Sequence, residues 1–286
     1  MPDVVPRHTP ASLPAGVPAT GRRRRGGCVS MKILVCIKAV PDPEGRVTID
    51  ETGRGVRFEG TWRMNRFDEY ALEEALRIGE AIPLETIDAL SVGPGGTAST
   101  IKRALELGAT EGIHIVTGEN TSLGPFQAAS LIASFARPRR YDLILAGVMG
   151  EDRIYSQTGP MIAELLHYPW ASSVIHEEID AQAETVSLER EIEAGSRECL
   201  EMRLPGLLTV QPGINRPRYP ALSNVLRARA QELTTIDARD MGTPDPRETT
   251  QGYRYPAAPS KGTFLEGTRE EKARALLGIL HERGFL

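Results

Sequence analysis

"YDLILAGVMGEDRIYSQTGPMIAELLHY", residues 141–168, decides the fold. Its first part, "YDLILA", is a short apolar run, and its last part, "PMIAELLHY", has helical spacing. Between them stands the loop "GVMGEDRIYSQTG", residues 147–159. A short apolar run reads as a buried strand of a parallel sheet. A loop that leaves such a strand and starts a helix is where α/β proteins hold ligands. The same alternation runs upstream. "KILVCIKAV" (32–40), "TIDALSV" (86–92) and "GIHIVTG" (112–118) read as strands. "FDEYALEEALRIGEA" (67–81), "GPGGTASTIKRALELGA" (93–109) and "GPFQAASLIASFA" (124–136) read as helices with their leading turns. In the second of these, Thr97 is expected to cap the helix and Gly108 to stop it. Strand alternating with helix predicts a parallel sheet with helices on both faces. Its ligand crevice is expected at the strands' carboxyl ends, after residues 37, 92 and 147.

Beyond residue 170 the pattern changes. Residues 171–211 read as strands with turns, antiparallel in part, and "GINRPRYPALSNVLRARA" (213–230) is a Pro-rich loop running into a short basic helix. Residues 231–266 are rich in turn residues and show no clear period, and "TREEKARALLGILHERG" (268–284) is an amphipathic closing helix. The fold class expected is α/β, with some antiparallel strands and a C-terminal arm.

Composition narrows the function. The net charge is −4, so no global basic field attracts polyanions, and aromatics at 5% leave little for stacking on bases. No nucleic-acid partner is expected. No apolar stretch approaches the ~20 residues that span a bilayer, so no direct membrane insertion is expected. Cys28, Cys36 and Cys199 lack paired spacing, which points away from disulfides and zinc and toward a reducing cytoplasm. Residues 1–30 are rich in Pro, Ala, Gly and Arg; they read as an unstructured leader, or as a start placed too early before Met31. With five Arg against one Asp there, residues 31–286 carry −8 and the folded part is acidic.

Two loops carry chemistry. "SVGPGGTAST" (91–100) puts glycines after a strand and at a helix start, where backbone amides cradle phosphate; a mere tight turn accounts for it equally well. It is neither a Walker A loop nor G-x-G-x-x-G. In 147–159, Gly147 and Gly150 allow close backbone approach. Ser156, Gln157 and Thr158 are hydrogen-bonders at a helix start, and Arg153 adds positive charge. A lone cap would need one such residue, so three together favour a phosphate-bearing ligand. No G-x-S-x-G elbow, H-E-x-x-H or EF-hand loop is present. His114, His167 and His176 are scattered and read as structural or surface residues, and the carboxylates of "FDEYALEE" are expected to face solvent. No catalytic residue and no metal site is assigned. The profile fits a nucleotide-binding carrier subunit rather than an enzyme.

Several segments in order resemble the beta subunit of electron transfer flavoprotein, the FixA family. They are "VCIKAVPD" (35–42), "MNRFDEYALEEALRI" (64–78), "SVGPGGTASTIKRALELGAT" (91–110), "DLILAG" with "SQTGPMIAELL" (142–166), and "LLTVQPGINRPRYPALSNVLRARA" (207–230). The resemblance implies a Rossmann-like domain over 31–241 that pairs with an alpha subunit, and a C-terminal arm and helix over 242–286 that pack on that subunit. It implies FAD held mostly by alpha, and electrons taken from flavin dehydrogenases and passed to a membrane quinone oxidoreductase. In beta it implies one AMP, or a second FAD in electron-bifurcating forms. The family's nucleotide contacts fall on Cys36, Asn65, Val92, Gly150, Arg153, Ser156, Gln157 and Thr158, with Phe67 as a flavin neighbour. The family's AMP loop carries an acidic cluster and an Asn. Asp152 remains here, whereas Arg153 and Ser156 replace an acid and the Asn. "NRFDE" stands for the usual "NPFDE", and Pro43 stands where some members have a Tyr. The loop 213–230 is the family's docking segment for dehydrogenases, its anchor leucine falling on Leu222 with Arg227 and Arg229 as a basic collar. Without the resemblance, the alternatives are a stand-alone adenine-nucleotide-binding regulatory protein, or Leu222 packed internally with solvated arginines. An ATP-cleaving enzyme of related architecture would need a Ser-Gly-Gly-x-Asp-Ser loop, where "IKAVPDPE" stands.

Overall fold

The structure, a computed structural model, describes residues 30–119, 123–256 and 262–286. The leader segment and Cys28 lie outside the described residues, except Ser30. In chain order the elements are β1 (Met31–Cys36), β2 (Ala39–Pro41), β3 (Arg46–Ile49), β4 (Val56–Glu59), β5 (Trp62–Met64), α1 (Arg66–Ala81) and β6 (Leu84–Gly93). Then come α2 (Ala98–Leu107), β7 (Glu111–Val116), α3 (Pro125–Ala136), β8 (Leu143–Gly147), α4 (Thr158–Leu166) and β9 (Trp170–Asp180). The chain finishes with β10 (Thr185–Glu191), β11 (Arg197–Arg203), β12 (Gly206–Val210), α5 (Leu222–Ala230), β13 (Thr234–Asp237) and α6 (Arg269–Glu282).

The main sheet has the order β11-β10-β9-β12-β8-β1-β6-β7-β13. From β13 to β9 its neighbours run parallel, and β9, β10 and β11 form an antiparallel extension. Strand alternation sorts the core into two layers. Ile33, Val35, Leu143, Leu145 and Leu208 face α1, α2 and α5, joining Leu72, Leu105 and Ala228. Leu34, Cys36, Ile144 and Ala146 face α3 and α4, joining Leu131, Phe135 and Ile162. This is the expected α/β architecture with helices on both faces.

Three local readings are corrected. The stretch 231–266 contains β13, which pairs with β7 from Thr234↔Ile113 to Asp237↔Val116; four residues at a sheet edge leave no period to read. Thr97 occupies the N-cap position of α2 in a helical conformation but caps nothing with its side chain, because a short 3-10 turn over Gly95–Thr97 precedes it. Gly108 stops α2 as expected, at φ +134, which a side chain would strain. The carboxylates of "FDEYALEE" do not all face water: Asp68, Glu73 and Glu74 are buried. Asp68 turns toward the ends of β1 and β8, and the loop after β12 covers Glu73 and Glu74.

The described residues form two compact units, 47–58 with 250–286 and the remainder up to 249. Within the smaller unit, Tyr253 N donates to Gly53 O at 2.7 Å and Ile49 N to the Tyr255 hydroxyl at 3.0 Å. Helix α6 opens with a capping box between Thr268 and Glu271 and buries no residue; Leu276 and Leu277 are exposed. Among the described residues no helix is long and apolar enough to cross a membrane, and no group of three or more His, Cys, Asp or Glu could hold a metal ion.

Candidate functional site

In the parallel core the order β7-β6-β1-β8-β12 runs outward from β1 in both directions. Strand order therefore reverses between β1 and β8, and the crevice beyond their carboxyl ends is the ligand position that such sheets favour. Asp68 ties the two strand ends together, its carboxyl accepting the amides of Lys38 (2.7 Å) and Gly147 (2.9 Å). Asn65, the N-cap residue of α1, holds the outgoing loop: Nδ2 donates to Met149 O at 2.9 Å, and Oδ1 accepts Glu151 N at 3.1 Å. The Glu151 carboxylate accepts Arg66 N at 3.0 Å and pairs with Arg63 at 3.0 Å. Lys38 Nζ meets both carboxylate oxygens of Asp152, at 2.5 and 2.7 Å. Residues 147–152 thus form a wall stitched to α1, β5 and the end of β1.

The loop then opens. A turn closes through Ile154 N to Gly150 O (2.8 Å) and leaves Ile154 at φ 54 and exposed. Ser156 and Gln157 are exposed, Arg153 is half-buried, and Thr158 begins α4. Gln157 holds the N-cap position, and no side chain caps the helix. So Ser156 does not serve as a cap. The first amides of α4, with the positive end of its dipole, suit an anion held there. Gly159 is buried, and a Cβ on it would stand 2.5 Å from Thr209 Cγ2, so the start of α4 is pressed on β12.

The other expected contacts flank this crevice. Cys36 ends β1 and is buried in the α3/α4 layer, where burial, then the Asp68 charge, push its thiol upward. It packs there among apolar side chains, as a small hydrophobe does. Val92 is half-buried near the end of β6, and Phe67 is half-buried in the first turn of α1, against Gly147. In the glycine turn at 93–97, Gly95 N donates to Glu119 Oε1 at 3.1 Å and Thr97 N to Pro94 O at 2.9 Å. His114 is buried, with Nε2 3.1 Å from Gly93 O, a structural role. A cleft of about 580 Å³ lined by Ile175, His176, Glu189, Glu191, Arg197 and Ile214 lies at the antiparallel end of the sheet, away from these elements.

Lys38, Asp68 and Glu151 escaped the sequence reading. The usable signal was position: Lys38 follows a buried strand at its carboxyl end, and Asp68 stands one turn after the helix-opening Asn65. Burial pushes the Asp68 carboxyl up to about 7 from 3.8, against the pull of the two amides and Lys38. Between those values the unfolded chain has lost this proton and the folded chain keeps it. The contribution to stability therefore falls as pH rises from about 4 to about 7, by a total on the order of 4 kcal/mol. Urea midpoints of wild type and Asp68→Asn should show this as a wild-type advantage that shrinks with pH across that window; a constant difference would contradict it.

The segment after β12 is fastened to α1. Arg218 forms a two-pronged pair with Glu73 at 2.8 and 2.9 Å and reaches Glu80 at 2.6 Å. Asn215 Nδ2 donates to Tyr70 O and Glu74 Oε2, and Arg77 to Ile214 O. Beyond these ties the surface is apolar and open: Tyr219 is 93% exposed, Leu222 73% and Leu226 56%. Internal packing of Leu222 is thereby excluded. Arg229 is exposed, whereas Arg227 directs Nη2 to Leu105 O (3.1 Å) and Ala109 O (3.0 Å) at the end of α2. Arg227 thus serves the fold as well as the surface.

A family model described as "Electron transfer flavoprotein domain" matches residues 56–241. The electron transfer flavoprotein subunit beta of Sus scrofa is 34% identical over 257 residues, 89% of this chain and 98% of its own. The subunit of the same name from Dictyostelium discoideum is 35% identical over 206 residues, 72% and 80%. The Arabidopsis thaliana protein named electron transfer flavoprotein subunit beta, mitochondrial, is 34% identical over 212 residues, 74% and 83%. Asn65, Asp68, residues 147–152 and the exposed α5 lie within the region that the family model matches, whereas β1 and Lys38 precede it. The chain belongs to the electron transfer flavoprotein beta-subunit family.

Proposed function

We propose that this chain works as the nucleotide-bearing half of a heterodimer with an electron transfer flavoprotein alpha subunit. The heterodimer accepts electrons from flavin dehydrogenases at α5 and its leading loop and passes them to a quinone oxidoreductase. FAD, held mostly by alpha, supplies the redox chemistry; this chain carries electrons between enzymes and is not itself one. Its own ligand is AMP, with a second FAD as the bifurcating alternative. The observation that carries the reading is the uncapped start of α4, set at the β1/β8 reversal beside the fastened wall 147–152. There the amides of α4 with Ser156, Gln157, Thr158 and Arg153 receive phosphate. The exposed apolar residues of α6 and residues 242–286 pack on alpha. The cytoplasm is the proposed location, supported by Cys36 and Cys199 being free.

Co-expression with the alpha subunit, then extraction and chromatography of the bound nucleotides, tests this. One FAD and one AMP per heterodimer are expected. One FAD with no second nucleotide overturns the beta site, and two FADs overturn the AMP choice alone. Thr158→Ala and Gln157→Ala each should weaken AMP retention by roughly tenfold or more, the scale of one lost hydrogen bond to a charged group. Calorimetric titration with AMP measures it.

A further inference from the structure

Helix α5 is nine residues long, buries Ala228 alone and has no side-chain cap at its start. A helix so short and so little buried is marginal by itself. Two cations exchanged with α2 hold it. Arg227 of α5 donates to the carbonyls of Leu105 and Ala109, where α2 ends. Lys102 of α2 donates to Ala228 O at 3.1 Å and, more closely, to Gln231 O, where α5 ends. Gln231 closes the set: Nε2 donates to Thr110 O at 2.7 Å, and Oε1 accepts Arg227 Nη1 at 3.2 Å. The last turn of α2 has no basic residue of its own. Each helix therefore places a cation on the negative end of the other, the arrangement that opposes both dipoles.

We propose that Lys102, with Arg227, is a positioning residue for electron delivery: the exchange fixes α5 on α2 so that Leu222 and Leu226 meet the donor in a preset arrangement. This rests on the docking role of α5 proposed above. A preset surface avoids the ordering cost of a loose one, so losing the exchange slows productive docking while the flavin itself is untouched.

The test uses the full heterodimer. Among the host's FAD-dependent dehydrogenases, the one that reduces wild type fastest serves as donor. Lys102→Met should slow second-order reduction by about tenfold, the scale of one charge-assisted hydrogen bond. Lys102→Arg should restore it, and amides of α5 should exchange faster in Lys102→Met. Dithionite reduction and flavin content are the controls. A Lys102→Met rate within twofold of wild type, in a preparation where Leu222→Ala is slowed, overturns the proposal and spares the docking role. If both variants react as wild type, the docking role fails as well. Equal slowing with dithionite, or failure of Lys102→Arg to restore the rate, also overturns it. Should Lys102→Met give no heterodimer, Lys102→Gln, uncharged but still a donor, carries the same comparison.

Discussion

Gly147→Ala should lose about 3 kcal/mol of stability or more, together with most of the nucleotide that the proposed site would hold. A Cβ there would stand 2.5 Å from Phe67 Cβ, 2.5 Å from Asp68 Oδ1 and 2.7 Å from the Phe67 backbone carbon. Two of those atoms belong to a helix start that cannot rotate away, so either α1 or the end of β8 must move. Movement also lengthens the bond from Gly147 N to Asp68, which closes the β1/β8 end. Overpacking of this kind typically costs about 1–3 kcal/mol, and the strained hydrogen bond adds to it. For a chain of this size the melting temperature should drop by roughly 10 °C. Gly150→Ala is the contrast. The nearest atoms to its added methyl are the Asp152 carboxylate and the end of the Lys38 side chain, at 3.0–3.3 Å, and flexible side chains can yield. Thermal unfolding and nucleotide content of the two variants decide it. A Gly147→Ala protein that melts within 2 °C of wild type, loaded normally, removes the close approach from the account of the site.

Leu222→Ala should slow reduction by the donor dehydrogenase about 30-fold and leave melting temperature and flavin content unchanged. The side chain is 73% exposed at the first position of α5, so truncating it opens no cavity. Tyr219 and Leu226 extend the apolar surface on either side, and Pro217 and Pro220 limit the freedom of the approach. A residue that fills a pocket at the centre of an interface costs about 2 kcal/mol or more when truncated, and that is the place proposed for Leu222. Stopped-flow reduction at several heterodimer concentrations locates the loss in association or complex lifetime. An unchanged rate would remove the anchor role, and a lowered melting temperature would mean that Leu222 supports the fold.

What was legible in the sequence followed from period. Apolar runs such as "YDLILA" and the helical spacing of "EYALEEALRI" each repeat within a few residues, and they placed the parallel strands from β1 to β8 and the helices between them. The prolines and arginines of 213–230 marked a loop running into a short basic helix, which is where α5 lies. The hidden parts depend on partners far along the chain. Asp68, Glu73 and Glu74 look like a solvated helix face until Gly147, Asn215 and Arg218 arrive to receive them. Glu119 takes the Gly95 amide across a gap of 24 residues, and no local pattern announces it. Arg227 read as part of a collar because its acceptors, Leu105 and Ala109, lie more than 100 residues upstream. β13 is an edge strand whose four residues take their conformation from β7.

The central place of β1 has a consequence for how the chain is made. It is the earliest strand of the sheet, yet one of its two neighbours, β8, lies 110 residues downstream at the Lys32–Asp142 contact. At synthesis rates of about 5–20 residues per second, that edge of β1 waits on the order of 5–20 s for its partner. Through that interval Ile33, Leu34 and Val35 have only β6 and whatever has condensed around it. Long-range parallel pairing is intrinsically slow, and an open apolar strand recruits other chains. Chaperone protection of the nascent chain is therefore needed most before residue 147 emerges, and substitutions that weaken β1 against β6 should cost yield more than they cost the finished protein.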